Sequence, residues 1–207
     1  MPVTITVLIG IALGFFSHMS SSLPGPWRWV GNFGALWLIV AFFTGRAARE
    51  TRIGAITGAV VLAITSVVHY VPFRMARDGI SWHSFRWPVL LWVVVGLVAG
   101  ASFGALGAAH AQGVEGGSVF AVALLVAVLT GEAFVLWRTG HPRAIQISVP
   151  LELAVASVLP MALATSWGDR AKIYLYGCCF FPRPFWVCPH SWESSTAYIQ
   201  GSRRLPG

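Results

Sequence analysis

Six apolar stretches, at about residues 3–18, 29–45, 53–72, 87–109, 118–137 and 145–167, fill most of the chain and restrict what it can fold into. Crossing about 30 Å of hydrocarbon takes roughly 20 mostly apolar residues, and every backbone polar group on the way must be bonded internally. The α-helix meets both demands. The expected fold is therefore all-α, a polytopic integral membrane protein built as a six-transmembrane-helix bundle with short loops. Composition points the same way: of 207 residues, 56% are hydrophobic and 10% charged, and the mean hydropathy is +0.71. A soluble domain carries about 25% charged residues, so these are too few to cover a water-exposed surface, and the apolar content excludes disorder.

Two organisational units follow, a transmembrane domain at 1–167 and an irregular C-terminal tail at 168–207. The tail carries Pro182, Pro184, Pro189 and Pro206, lacks a sustained hydrophobic period and holds all three cysteines, Cys178, Cys179 and Cys188. Adjacent cysteines without C-x-x-C spacing make a zinc site with His190 a weak reading. The first stretch resembles a secretory signal in length, with Ser20, Ser21 and Ser22 after it, but no Lys or Arg precedes it and no clear A-x-A site follows. It is expected to be retained as a helix. Glu132 does not forbid insertion of the fifth stretch: eleven Val, Leu or Phe residues at about −0.5 kcal/mol each outweigh one Glu at about +3 kcal/mol. The sixth, with Pro150, Glu152, Pro160 and nine Ile, Leu or Val residues, has a narrower margin.

The net charge of +7 comes from 14 basic against 7 acidic residues, and the basic ones punctuate apolar runs instead of clustering on one face. They suit lipid headgroups better than nucleic acid, so the expected partners are the bilayer and a small solute, with no nucleic acid. Counting Arg and Lys near the segment ends gives six on each side of a six-span topology, which leaves orientation undecided by the positive-inside rule. The aromatic anchors Trp27, Trp29, Trp82 and Trp87 in the opposite loops favour a cytoplasmic N-terminus.

Ionisable groups inside a bilayer cost a few kcal/mol each, so every one is a functional candidate. His18, Asn32, His69, Glu132 and Glu152 all fall toward the membrane face opposite the N-terminus, with Arg74 and Arg86 at its rim. The other half reads as aliphatic and small. A polar cavity open to one side is expected, with Glu132 and His69 as principal contacts, His18, Asn32, Glu152 and Arg74 around them, and Trp27, Trp29, Trp37 and Trp82 as walls. Glu132 needs a partner, for which His69, His18 or Arg74 is the natural choice. The competing reading is structural: His18 and Glu152 lie near enough to a span end to snorkel to the headgroups, Asn32 suits a helix cap, and Glu132 and His69 suit internal hydrogen bonds.

Small residues carry packing information where lipid and side chains are equally apolar. Gly96, Gly100 and Gly104 recur every four residues, as do Gly10 and Gly14, and Gly54 and Gly58. Packing within the chain is the favoured reading, with a membrane protein partner on the Gly96, Gly100, Gly104 or the Gly10, Gly14 face as the alternative. Catalytic motifs fail. Gly100 to Gly104 match G-x-S-x-G, but Ser102 falls inside a helical glycine stripe and not at a strand-to-helix turn. No H-E-x-x-H, acidic metal cluster or Walker loop occurs. The chain is read as a non-enzyme without cofactor or metal.

The run Trp29, Val30, Gly31, Asn32, Phe33, Gly34, Ala35, Leu36, Trp37, then Phe42, Phe43, Thr44, Gly45, Arg46, and later Gly131, Glu132, Ala133, resembles uncharacterised bacterial multi-pass membrane proteins classed as a domain of unknown function. The resemblance covers about residues 3–167 and implies six helices in a bacterial plasma (inner) membrane, with no activity attached. In size and layout the chain is also similar to the six-helix substrate-capture subunits of energy-coupling-factor vitamin transporters, whose docking surfaces Gly10 and Gly14 could imitate. Small-solute binding or transport is the expected task, and a non-catalytic scaffold or accessory subunit the alternative.

Overall fold

A computed structural model describes residues 2–24, 33–77, 82–113, 117–139, 142–164 and 166–179. Seven helices occupy them: α1 (Val3–Ser21), α2 (Gly34–Ala48), α3 (Thr51–Arg77), α4 (Trp82–Ala111), α5 (Gly117–Arg138), α6 (Pro142–Leu163) and α7 (Trp167–Cys179). Five contain stretches long and apolar enough to cross a membrane: Val3–Ser21, Thr51–Val71, Arg86–Ala111, Gly117–Arg138 and Gln146–Leu163. The chain is a multi-pass helical membrane protein. At 1.5 Å per residue the 26-residue stretch of α4 spans about 39 Å, enough for hydrocarbon and one headgroup layer. Cation and indole pairs flank the bundle at both levels: Arg86 lies over the Trp87 ring at 5.4 Å and Arg170 over the Trp167 ring at 4.5 Å.

The second and last expected elements differ from the sequence reading. Among the described residues α2 starts at Gly34, and its 15 residues reach only about 22 Å, short of a full crossing. The tail is not irregular from its start. Trp167–Cys179 forms α7, opened by Ser166, whose Oγ accepts the Asp169 N–H at 3.1 Å and donates to Asp169 Oδ2 at 2.8 Å. The Ser166 hydroxyl is a side-chain N-cap, oriented by the Asp169 carboxylate, and the proline content further along hid it. From there α7 turns back along the bundle. Gly177 packs against Val126 of α5, and Tyr174 donates its hydroxyl to the Ser157 carbonyl of α6 at 2.7 Å.

The core is a seam of glycines between α2, α3 and α4. A Cβ on Gly104 would overlap the Gly54 carbonyl oxygen and stand 3.1 Å from the Gly58 Cα; a Cβ on Gly107 would overlap the Phe42 carbonyl oxygen and stand 2.9 Å from the Arg46 nitrogen. Three backbones meet there at distances only glycine permits, which replaces missing hydrophobic drive with dispersion and weak Cα–H···O contacts. Gly96 packs on Ser66 and Leu62 of α3, and Gly10 and Gly14 of α1 pack on Val61, Ile64, Thr65 and Val68 of α3. The faces considered for a protein partner are therefore filled by the chain's own helices. Thr65, fully buried, locks the α1 contact by donating to the Gly10 carbonyl at 3.2 Å.

The α2–α3 connection is held tightly. Arg49 adopts a left-handed backbone at φ 59°, and the Gln112 side chain donates to its carbonyl at 2.9 Å. A left-handed residue with a Cβ is strained by about 1–2 kcal/mol, partly offset on replacement by the greater freedom of glycine in the unfolded chain. Arg49→Gly is expected to stabilise the protein by about 0.5–1 kcal/mol, read as a rise in unfolding temperature of about 2 °C. A fall would show that the Arg49 side chain supplies more than its backbone costs.

Candidate functional site

Helix α2 begins inside the bundle, and this creates the site. Glu132 stands six residues before the end of α5, about 9 Å below the level of Arg138, and α2 starts at that depth. A helix N-terminus leaves backbone N–H groups unbonded, and in hydrocarbon no water can take them. Glu132 does so. Its Oε1 accepts the Gly34 N–H at 3.0 Å and its Oε2 the Ala35 N–H at 2.7 Å, a bidentate cap on the positive end of the helix. Backbone N–H groups thus take both carboxylate oxygens, where the sequence pointed to a side-chain partner. No hydrogen bond or ion pair joins Glu132 to His69 among the described residues. The signal was available in part, because a 15-residue apolar helix beginning Gly34-Ala35 offers no capping side chain of its own.

Trp37, one turn into α2, links α1 to His69 of α3. Its Nε1 donates to Ser17 Oγ at 2.9 Å, and its ring meets His69 edge-on with centroids 5.6 Å apart at 73°. His69 in turn packs on Tyr70 and lies within electrostatic reach of His18. Its Nδ1 is buried with no hydrogen-bond partner among the described residues. Glu152 does not snorkel: it is 2% exposed, neither carboxylate oxygen has a hydrogen-bond partner among the described residues, and it lies within electrostatic reach of Glu132. Ser148, one turn earlier on α6 and fully buried, is likewise unpartnered at Oγ. Ser148 is a site residue absent from the sequence-based candidates, and its i, i+4 spacing to Glu152 is the signal that points to it.

A cavity of about 240 Å³ opens beside the cap, between α2, α3, α4 and α5. Its wall includes Glu132, Gly34, Trp37, Ser66, Trp92 and Gly96. Ser66 donates to the Leu62 carbonyl at 2.9 Å and reaches the Trp92 carbonyl at 3.3 Å, so its hydroxyl is committed to the helices. The arrangement offers a small solute an apolar slot with one carboxylate edge. Asn32, Trp27 and Trp29 lie outside the described residues, as do the side chains of Arg74 and Trp82.

Two further features bear on the sequence reading. The half of the bundle nearer the N-terminus is not uniformly aliphatic, because a polar pocket of about 690 Å³ lies where α2 and α4 end and α5 and α7 begin. Ser102 donates to the Val98 carbonyl at 2.9 Å within α4, an ordinary helical back-bond. No group of three or more His, Cys, Asp or Glu with metal-site placement occurs among the described residues.

Fold and site together define a multi-pass membrane protein with a short inner helix capped by a carboxylate from a neighbouring span. The chain belongs to DUF6518, a family of unknown function, which it matches over residues 1–182. That match runs past the expected boundary at 167 and takes in the whole of α7. No curated protein and no solved structure matches it.

Proposed function

We propose that the protein binds a small solute, or passes it across a bacterial plasma membrane, at the cavity beside the start of α2, without catalysing a reaction. The observation that carries this reading is the cavity of about 240 Å³ with the Glu132 carboxylate in its wall. Pockets for drug-sized ligands run about 300–1,000 Å³, so this one suits a smaller molecule. The unpartnered Glu152 and Ser148 add a neighbouring set of groups that a solute's donors or a travelling proton would satisfy. Trp37 lines the cavity and connects it to Ser17 of α1 and His69 of α3.

Thermal-shift screening of the purified protein against vitamins, metals and small cations tests it. A true ligand is expected to raise the unfolding temperature of wild type and to lose half or more of that effect in a Glu152→Gln, His69→Ala double variant. Glu132 is left intact in this comparison because it holds α2. A ligand that stabilises the double variant as well as wild type removes Glu152 and His69 from the site.

The bidentate use of Glu132 by the backbone favours a second reading, a scaffold or accessory subunit whose polar groups fix helix register. Since Gly100 packs on Gly58 and Ala59 within the chain, a partner would meet the exposed face of α4 instead, where Val94 and Val98 are 55% and 65% exposed. Loss of a stoichiometric co-purifying membrane protein on Val94→Trp, Val98→Trp, with unchanged melting, would support the scaffold.

A further inference from the structure

The polar pocket at the opposite end of the bundle is lined by more basic than acidic side chains. Its rim carries Arg46 from the last turn of α2 and Lys172 from the second turn of α7, both exposed. His110 and Ser118 stand deeper, sharing a hydrogen bond of 2.6 Å between Nδ1 and Oγ, and the floor is apolar, made by Val122, Leu163 and Ile173. Arg46 and His110 also complement the negative ends of α2 and α4. Lys172 has no such reason, because it stands mid-helix in the second turn of α7, away from that helix's negative end. The acidic residue in the lining, Asp169, has an oxygen engaged by the Ser166 hydroxyl in the α7 cap. Arg49 extends the positive rim through an adjoining pocket that shares Arg46 and Ala111.

We propose that this pocket binds a phosphate group, its oxygens held by Arg46, Lys172 and the His110–Ser118 pair. The site is separate from the Glu132 cavity and does not depend on it. A rim of cations above an apolar floor at the membrane edge fits the phosphate of an anionic lipid, whose chains would follow the floor, and the same cations would accept a soluble phosphate.

The test uses the full chain in nanodiscs of phosphatidylcholine. Two probes are titrated, phosphatidylglycerol replacing part of the lipid, and inorganic phosphate added to unchanged discs, with unfolding temperature as the readout. Wild type is expected to be stabilised by at least one probe: phosphatidylglycerol alone identifies the lipid, inorganic phosphate the soluble source. At about 1 kcal/mol per cation near an anionic surface, Arg46→Gln, Lys172→Gln should weaken the apparent affinity about tenfold or more. Lys172→Gln alone gives a smaller loss, and Arg138→Gln, at the other end of α5, none. Equal stabilisation of wild type and the double variant, an equal loss in Arg138→Gln, or no response to either probe overturns the proposal.

Discussion

Gly104→Leu is expected to abolish the folded bundle. The Gly104 backbone is pressed on two sides, against Gly45 of α2 and against Gly54 and Gly58 of α3, so a side chain has no direction in which to relax. Overpacking a core ordinarily costs about 1–3 kcal/mol, and more where the obstructing atoms are backbone. Separating both α2 and α3 from α4 would remove most of the contacts that hold the short inner helix. The measurement is recovery of monodisperse protein in detergent together with its melting. Gly104→Ala is the graded version, expected to lower the unfolding temperature by about 10 °C on the usual scale of 2–4 °C per kcal/mol for chains of this size. By contrast, Leu91→Ala on the exposed face of α4 is expected to change it little, since Leu91 is 61% exposed. Normal melting of Gly104→Leu would mean that the three helices do not meet at this seam.

Glu132→Ala carries the second largest effect. It removes two charge-assisted hydrogen bonds and leaves the Gly34 and Ala35 N–H groups without acceptors at a depth where water is scarce. Each such bond is worth about 1.5–3 kcal/mol, giving a loss of about 3–5 kcal/mol. Glu132→Gln keeps one acceptor oxygen and should lose about half of that. Hydrogen exchange distinguishes this from general weakening. Protection should fall first and most at the opening turn of α2, while the α1–α3 contact through Thr65 keeps its protection. If the opening turn of α2 exchanges no faster in Glu132→Ala, the carboxylate is not its cap.

Much of the fold was legible because the bilayer imposes a simple rule on sequence. Apolar runs near 20 residues long must be helices; all six stretches contain one, and five of these are long and apolar enough to cross a membrane. Small-xxx-small spacing identified Gly96, Gly100 and Gly104 as a packing face, and the structure sets that face against α3 and α2. The helix ends were harder. Nothing in the composition of residues 168–179 separates a helix returning along the bundle from a tail, apart from the Ser166–Asp169 cap, which is read from two residues against a background of prolines. The second apolar stretch reads as a span from residue 29, and its composition does not show that the helix starts only at Gly34, inside the membrane, where it must find an acceptor on another helix.

The site was legible as a level and not as a set of contacts. Counting residues along alternating helices placed His18, His69, Glu132 and Glu152 in one half of the bundle. It could not say that Glu132 serves the backbone of α2, that Trp37 bridges Ser17 and His69, or that Ser148 stands beside Glu152 with neither hydrogen-bonded to a described residue. Those facts depend on rotation about each helix axis, which the long apolar runs leave undetermined because they are hydrophobic on nearly every face. The polar pocket around Arg46, His110 and Lys172 escaped for a related reason. Its members come from five different helix ends, and each polar one reads alone as an interfacial residue.

The central functional claim is that a solute occupies the cavity beside the α2 cap, and it is tested most directly by filling that space. Ala99 of α4 lines the cavity and is partly exposed, so Ala99→Phe should occupy it without entering the glycine seam. The measurement is calorimetric titration of a stabilising solute into wild type and Ala99→Phe, both checked for normal melting. Binding to wild type with a loss of tenfold or more in Ala99→Phe is the predicted result. Equal affinity for the two proteins would place the solute elsewhere and contradict the account.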